Sequence, residues 1–193
     1  MLKQLSVSVL SALLISTPLV HAATFNYQVK VKKTTAPRAV MKMPVLEGAG
    51  TKLVNDEIKA FKKSSYTSFQ KTYGFSKHAD YRFDYKILTN TKQYLALKVT
   101  STVTAADAAT TTKYFTIDKS RGQTMTLKYL FSKYSETNIN KAIQKKAKNT
   151  TFKAMDDDTN FYMNKKNQLV ISFDEGTIAP YSVGSLTYTI NVK

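Results

Sequence analysis

Phe173-Asp174-Glu175-Gly176-Thr177-Ile178-Ala179-Pro180-Tyr181-Ser182-Val183-Gly184, followed by the alternating run Leu186-Thr187-Tyr188-Thr189-Ile190, reads as two strands joined by a constrained corner. Gly176 and Gly184 permit backbone angles closed to other residues, and Pro180 fixes its own φ while pushing Ala179 towards an extended conformation. Leu169, Ile171 and Phe173 lead the chain into the corner with the period of two that belongs to a strand.

Outward from the corner the same alternation recurs. Phe25, Tyr27, Val29 and Val31 predict a half-buried strand, after which Pro37 and Pro44 punctuate an irregular connection. From about Thr51 to Gln70, Val54, Ile58, Phe61, Ser65 and Phe69 recur on one face of a helix that Gly74 ends, with Lys52, Lys59, Lys62 and Lys63 on its solvated side. Tyr81 to Ile87 and Leu95 to Val103 predict a hairpin turning at Asn90-Thr91. A small-residue loop from Thr104 to Thr112 then leads to a third strand around Lys113 to Asp118, closed by a turn in which Gly122 takes the unusual backbone angle. Leu127 to Phe131 is a helical turn, Ser135 to about Lys148 a helix buried through Ile139, Ile143 and Ala147, and Phe161 to Met163 a short strand. With no repeat or linker, the pattern predicts a single α+β domain: an antiparallel sheet with two main helices packed on one face.

Residues 1–22 carry Lys3, an apolar run from Leu5 to Val20 and Val20-His21-Ala22, the pattern of a cleaved secretory signal peptide. Residues 23–193 remain as the mature chain, with no further run long enough to cross a bilayer, so an extracytoplasmic location is expected, periplasmic or secreted. The chain holds no cysteine, so no disulfide staples it, but a domain of about 150 residues buries about 70% of its unfolded surface and can stand on its core.

A formal charge of +16, from 29 basic and 13 acidic residues, raises encounter rates with polyanions and works against self-association, which predicts a monomer. Arg38, Arg82 and Arg121 are the only arginines, and lysine lacks the planar fork that reads bases and phosphates, so nucleic acid is not expected as a partner. Lys141, Lys145 and Lys148 form a stripe on the last helix and are the candidate contacts for an anionic polymer.

No catalytic residue, cofactor or metal is predicted. Without cysteine, and with His78 alone after the leader, the chain lacks nucleophile–base and zinc-ligand sets. Asp174 and Glu175 are strand neighbours pointing to opposite faces. Asp156, Asp158 and Asn160 open like a calcium loop, but Phe161 and Asn167 stand where such a loop needs Gly and Glu, so a solvated turn is expected. Twelve tyrosines and no tryptophan leave many amphipathic rings, with Tyr85, Tyr114 and Tyr188 read as sheet packing and Tyr181 first, then Pro180 and Asp174, as the candidate ligand contacts.

Tyr114-Phe115-Thr116-Ile117-Asp118 with Gly122, Leu127-Lys128-Tyr129-Leu130-Phe131, Asn160-Phe161-Tyr162 and Ile178-Ala179-Pro180-Tyr181 with Gly184 resemble, in order and spacing, a bacterial extracytoplasmic domain of unknown function. That domain is shared by the anti-sigma factor RsiV, where it binds lysozyme, and by the non-catalytic region of the peptidoglycan deacetylase PdaC. The resemblance runs from about residue 51 to 192, with about 44–103 as a companion segment and about 104–193 as the core family segment. The chain departs from the family pattern at Asp174-Glu175-Gly176, where Asp-Pro-Tyr is common, and at Ala105 to Thr112. It also shows neither the cytoplasmic segment nor the deacetylase domain of those relatives, so their anti-sigma and deacetylase roles are not expected. Resemblance and charge together predict a non-enzymatic binding protein of the cell envelope, acting on peptidoglycan or an associated anionic polymer. The alternative is a binder or inhibitor of a lysozyme-like protein, which an acidic patch at Asp156 to Asp158 or Asp174-Glu175 would assist; a wall hydrolase is the third reading.

Overall fold

The computed structural model describes residues 26–74, 76–106, 108–148, 150–157 and 159–192. The expected signal peptide, Phe25 and Asp158 lie outside them. Strands β1 (Gln28–Ala36) and β2 (Ala39–Glu47) form a hairpin, and β3 (Asp80–Asn90), β4 (Tyr94–Thr104), β5 (Ala108–Asp118) and the two-residue β6 (Gln123–Thr124) complete a sheet in the order β1 to β6. A second sheet holds β7 (Asn160–Met163), β8 (Leu169–Phe173) and β9 (Leu186–Ile190). Helix α1 (Thr51–Tyr73) lies between β2 and β3, and α2 (Leu127–Lys133) and α3 (Glu136–Lys146) between the two sheets in sequence.

The α+β class stands, and the sheets are antiparallel except where Ala39–Met41 of β2 runs parallel to Tyr81–Phe83 of β3. That exception follows from α1: a helical crossover of 23 residues lets the chain return in the same direction, which a tight turn cannot. The expected irregular connection at Pro37 and Pro44 is instead the turn and second strand of the first hairpin. Pro44 pairs with Val31 beyond the short stretch where β2 has strands on both sides, and an edge position tolerates its missing N–H. The expected small-residue loop at Thr104 to Thr112 is mostly strand, since the register of β4 on β5 continues from Tyr94↔Asp118 to Thr104↔Ala108.

The helices are divided between two cores. Val54, Ile58, Phe61 and Phe69 of α1 pack on Tyr81, Phe83, Leu95, Leu97, Val99, Phe115 and Ile117 of the large sheet. Burying side chains of this size contributes about 1.5–3 kcal/mol each, so the apolar stripe rather than helix propensity holds α1 in place. Ser65, the polar member of that stripe, is satisfied by a 2.7 Å hydrogen bond between its hydroxyl and that of Tyr81. The second core joins Leu130 of α2, Ile139 and Ile143 of α3, and Leu169, Ile171, Phe173 and Ile190 of the small sheet. Thr126 and Ser135 cap α2 and α3 by accepting from the N–H of Tyr129 and Asn138. Strand β4 serves both cores, sending Leu95, Leu97 and Val99 to the first and Tyr94 to the second.

Candidate functional site: an aromatic corner beside an acidic cleft

The corner is built by sending Ile178 in and Tyr181 out. Ile178 is 7% exposed in the second core, and its carbonyl accepts from the Thr151 N–H at 2.8 Å, tying the corner to the loop after α3. Pro180 then opens one turn of 3-10 helix over Tyr181–Val183, closed by hydrogen bonds of 2.9 Å from Val183 N–H to the Pro180 carbonyl and from Gly184 N–H to the Tyr181 carbonyl. Tyr181 is left 74% exposed and Val183 54% exposed. The Tyr181 ring lies across Gly176, whose φ is 78° and whose Cβ, if it had one, would stand 2.6 Å from the ring. Gly176 is thus required twice over, for its backbone angle and for the ring's seat.

The acidic stretches that are distant in sequence converge beside the corner. A cleft of about 680 Å³ is lined by Glu57 of α1, by Thr111 to Thr116 of β5 and by Asp157, Asn160 and Asp174. A second, of about 500 Å³, has Asp156, Phe173, Thr177 and Ile178 in its wall and shares Thr159, Asn160 and Asp174 with the first. Burial raises the Asp174 carboxyl above its ordinary value, with Lys98 opposing and Glu175 adding to the rise. Burial also raises Glu57, against the pull of Lys113. Of the calcium-loop candidates among the described residues, Asp156 accepts from the Thr159 hydroxyl at 2.7 Å and Asn160 turns away to β5. Among the described residues no group of three His, Cys, Asp or Glu side chains is placed to hold a metal ion. His78 is exposed just before β3.

Two polar junctions that periodicity does not signal hold the halves together. Asp118, at the end of β5, is 0% exposed and accepts from Lys133 Nζ of α2 at 2.7 Å, from the Tyr129 hydroxyl at 2.9 Å and from Ser120. Burial by itself raises this carboxyl, but the bonds from Lys133, Ser120 and Tyr129 outweigh it and hold the group below the ordinary aspartate value. Lys133 also donates to the hydroxyl of Tyr94 at 3.2 Å, and burial pushes that phenol up. At the second junction Asn160 of β7 accepts from the Tyr114 N–H at 3.3 Å and donates to the Thr112 carbonyl at 3.1 Å, while Tyr162 stacks on Tyr114 with centroids 5.3 Å apart. Tyr85, Tyr114 and Tyr188 are all half-buried packing residues. Lys141 and Lys145 stand exposed on α3, and Lys148 is exposed in the turn after it. No helix among the described residues is long and apolar enough to cross a membrane.

Fold and site together define a two-core α+β module that presents an aromatic corner beside an acidic cleft. Residues 123–193 match the family described as a protein of unknown function (DUF3298). The anti-sigma-V factor RsiV of Bacillus subtilis (strain 168) is 30% identical over 196 residues, which cover 89% of this chain and 68% of RsiV. The chain belongs to this RsiV-like DUF3298 family. Crystal structures of DUF3298 proteins share its fold: one from Bacteroides fragilis NCTC 9343, with TM-score 0.51 and 11% identity over 88% of this chain and 91% of that one, and one from Pseudomonas aeruginosa PAO1, with TM-score 0.52 and 10% identity over 88% and 94%.

Proposed function

We propose that this chain is a non-enzymatic, extracytoplasmic binding protein of the cell envelope that recognises a lysozyme-like protein through its Ile178 to Gly184 corner. The observation that carries the reading is Tyr181, a ring 74% exposed yet seated on Gly176. An aromatic side chain held ready in solvent contributes contact area at little ordering cost, which is what an interface anchor needs. A projecting corner suits a concave partner such as a hydrolase cleft. Asp156, Asp174 and Glu175 beside it offset locally the repulsion that a chain of +16 would otherwise impose on a basic partner. Kinship with RsiV supports a role at the envelope.

Muramidase turnover on a wall suspension, measured with increasing amounts of the protein and of Tyr181→Ala, tests this reading. Inhibition or complex formation that Tyr181→Ala removes supports it; unchanged turnover together with no complex overturns it. A second reading, binding to peptidoglycan or its anionic polymer, is favoured by exposed Lys141, Lys145 and Lys148. Co-sedimentation with purified peptidoglycan, with and without attached anionic polymer, across a salt series separates the two. Binding that needs the polymer and fades with salt is lysine electrostatics, and binding that survives salt is specific wall recognition.

A further inference from the structure

Between α1 and the outer edge of β5 runs a groove made of two adjoining hollows, of about 680 Å³ and about 330 Å³, which have Phe61, Ser64 and Thr111 in common. It follows β5 from Ala109 to Thr116. Over most of that length no strand forms a ladder beyond β5: β6 pairs only with Ile117 and Asp118, and β7 meets the edge through the Asn160 side chain alone. The Asn160 carboxamide meets the edge at Thr112 and Tyr114, bonding across one intervening residue as the N–H and C=O of one residue in a parallel neighbour would. Those bonds fix which residues face outward. The alternation of the ladder then puts the Thr112 N–H, the Tyr114 carbonyl and both backbone groups of Thr110 on the same edge.

Charge gives the groove a direction. Glu57, Asp157 and Asp174 line the larger hollow, and none enters the ion pairs found among the described residues, although the chain holds 29 basic residues. The nearby cations are turned onto aromatic faces: Lys113 Nζ lies 5.8 Å from the Phe61 ring centre and Lys98 Nζ 5.9 Å from that of Tyr114. Thr116, also in the wall and 1% exposed, has a hydroxyl with no hydrogen-bond partner among the described residues. The smaller hollow, beyond Thr111, is lined by serines and by Phe69 and Tyr73.

We propose that this groove binds an extended segment of a partner protein as an added strand on β5, with basic side chains of that segment lying between Glu57, Asp157 and Asp174. Backbone pairing supplies affinity in such a mode, and the acidic end selects the sequence and its direction. The site shares Asp174 with the acidic patch beside the corner but does not use Tyr181.

The test is fluorescence anisotropy of the whole mature protein with labelled peptides of about eight alternating threonines and valines, bearing two lysines at one end or the other. One orientation binds saturably at physiological salt. Glu57→Gln with Asp174→Asn weakens it about tenfold or more, N-methylation of alternate peptide nitrogens in one register abolishes it, and Tyr181→Ala leaves it unchanged. Asp157→Asn alone serves if the double variant does not fold. No saturable binding in either orientation, equal binding of a glutamate-for-lysine peptide, or indifference to N-methylation in both registers overturns the proposal.

Discussion

Asp118 joins β5 to α2 through Lys133 and Tyr129, so Asp118→Asn leaves the Lys133 ammonium, 22% exposed, without its counter-charge. Removing one partner of a buried pair costs about 3–5 kcal/mol, and urea unfolding at neutral pH should read a loss of that order. The pH dependence has a definite sign. The folded pKa lies below the unfolded value of about 3.9, so the carboxylate's stabilisation is complete above that value and is lost as pH falls through the depressed folded value. The unmodified protein should therefore lose stability below about pH 4, and Asp118→Asn, weaker to begin with, should lose less over the same range. Tyr181 stands at the opposite extreme. Tyr181→Ala should change stability by no more than about 0.5 kcal/mol in thermal unfolding and still remove partner binding. Gly176→Ala should weaken binding as well, because its Cβ would unseat the ring; unimpaired binding by both variants would count against the corner as the contact.

At the scale of elements, β7 is held against β5 by the side chain of Asn160, not by a ladder. Asn160→Ala exposes or strands two backbone groups of β5 and should cost about 1–3 kcal/mol, with amide hydrogen exchange quickening first at Thr112 and Tyr114. How far the elements were legible follows from the same distinction between local and distant pairing. Strands β3, β4, β8 and β9, helices α1 and α3 and the corner all carry their periods and breakers in the sequence, and Gly122 takes the expected positive φ, 61°. Strand β2 and the first half of β5 do not. Pro44 argues against a strand, and Ala108 and Ala109 open β5 without the β-branched residues that favour one, so both are strands because a neighbour extends its register onto them. The acidic cleft was half legible. Asp156 to Asp158 and Asp174-Glu175 stood out as acidic patches, but Glu57, on α1 far earlier in the chain, gives no sign that it will share a wall with Asp174.

Across the whole molecule, two cores share β4 and are clamped at Asp118 and at Asn160. Lys141, Lys145 and Lys148 stand exposed while Glu57, Asp157 and Asp174 line the larger cleft, so the two modes of binding should answer to salt differently. Replacing Lys141, Lys145 and Lys148 together by Gln should reduce sedimentation with anionic polymer at low ionic strength. It should leave Tyr181-dependent protein binding intact above about 0.15 M salt, where the Debye length is about 8 Å. The stack of Tyr114 on Tyr162 has a consequence of another kind. One phenol belongs to each sheet, the ring planes are 9° from parallel, and the chain contains no indole to mask them. Electronic transitions of rings held this way couple, and the coupling vanishes when the rings part. Near-ultraviolet circular dichroism therefore gives a label-free optical gauge of whether the two halves are closed on each other, and Tyr162→Leu would silence it.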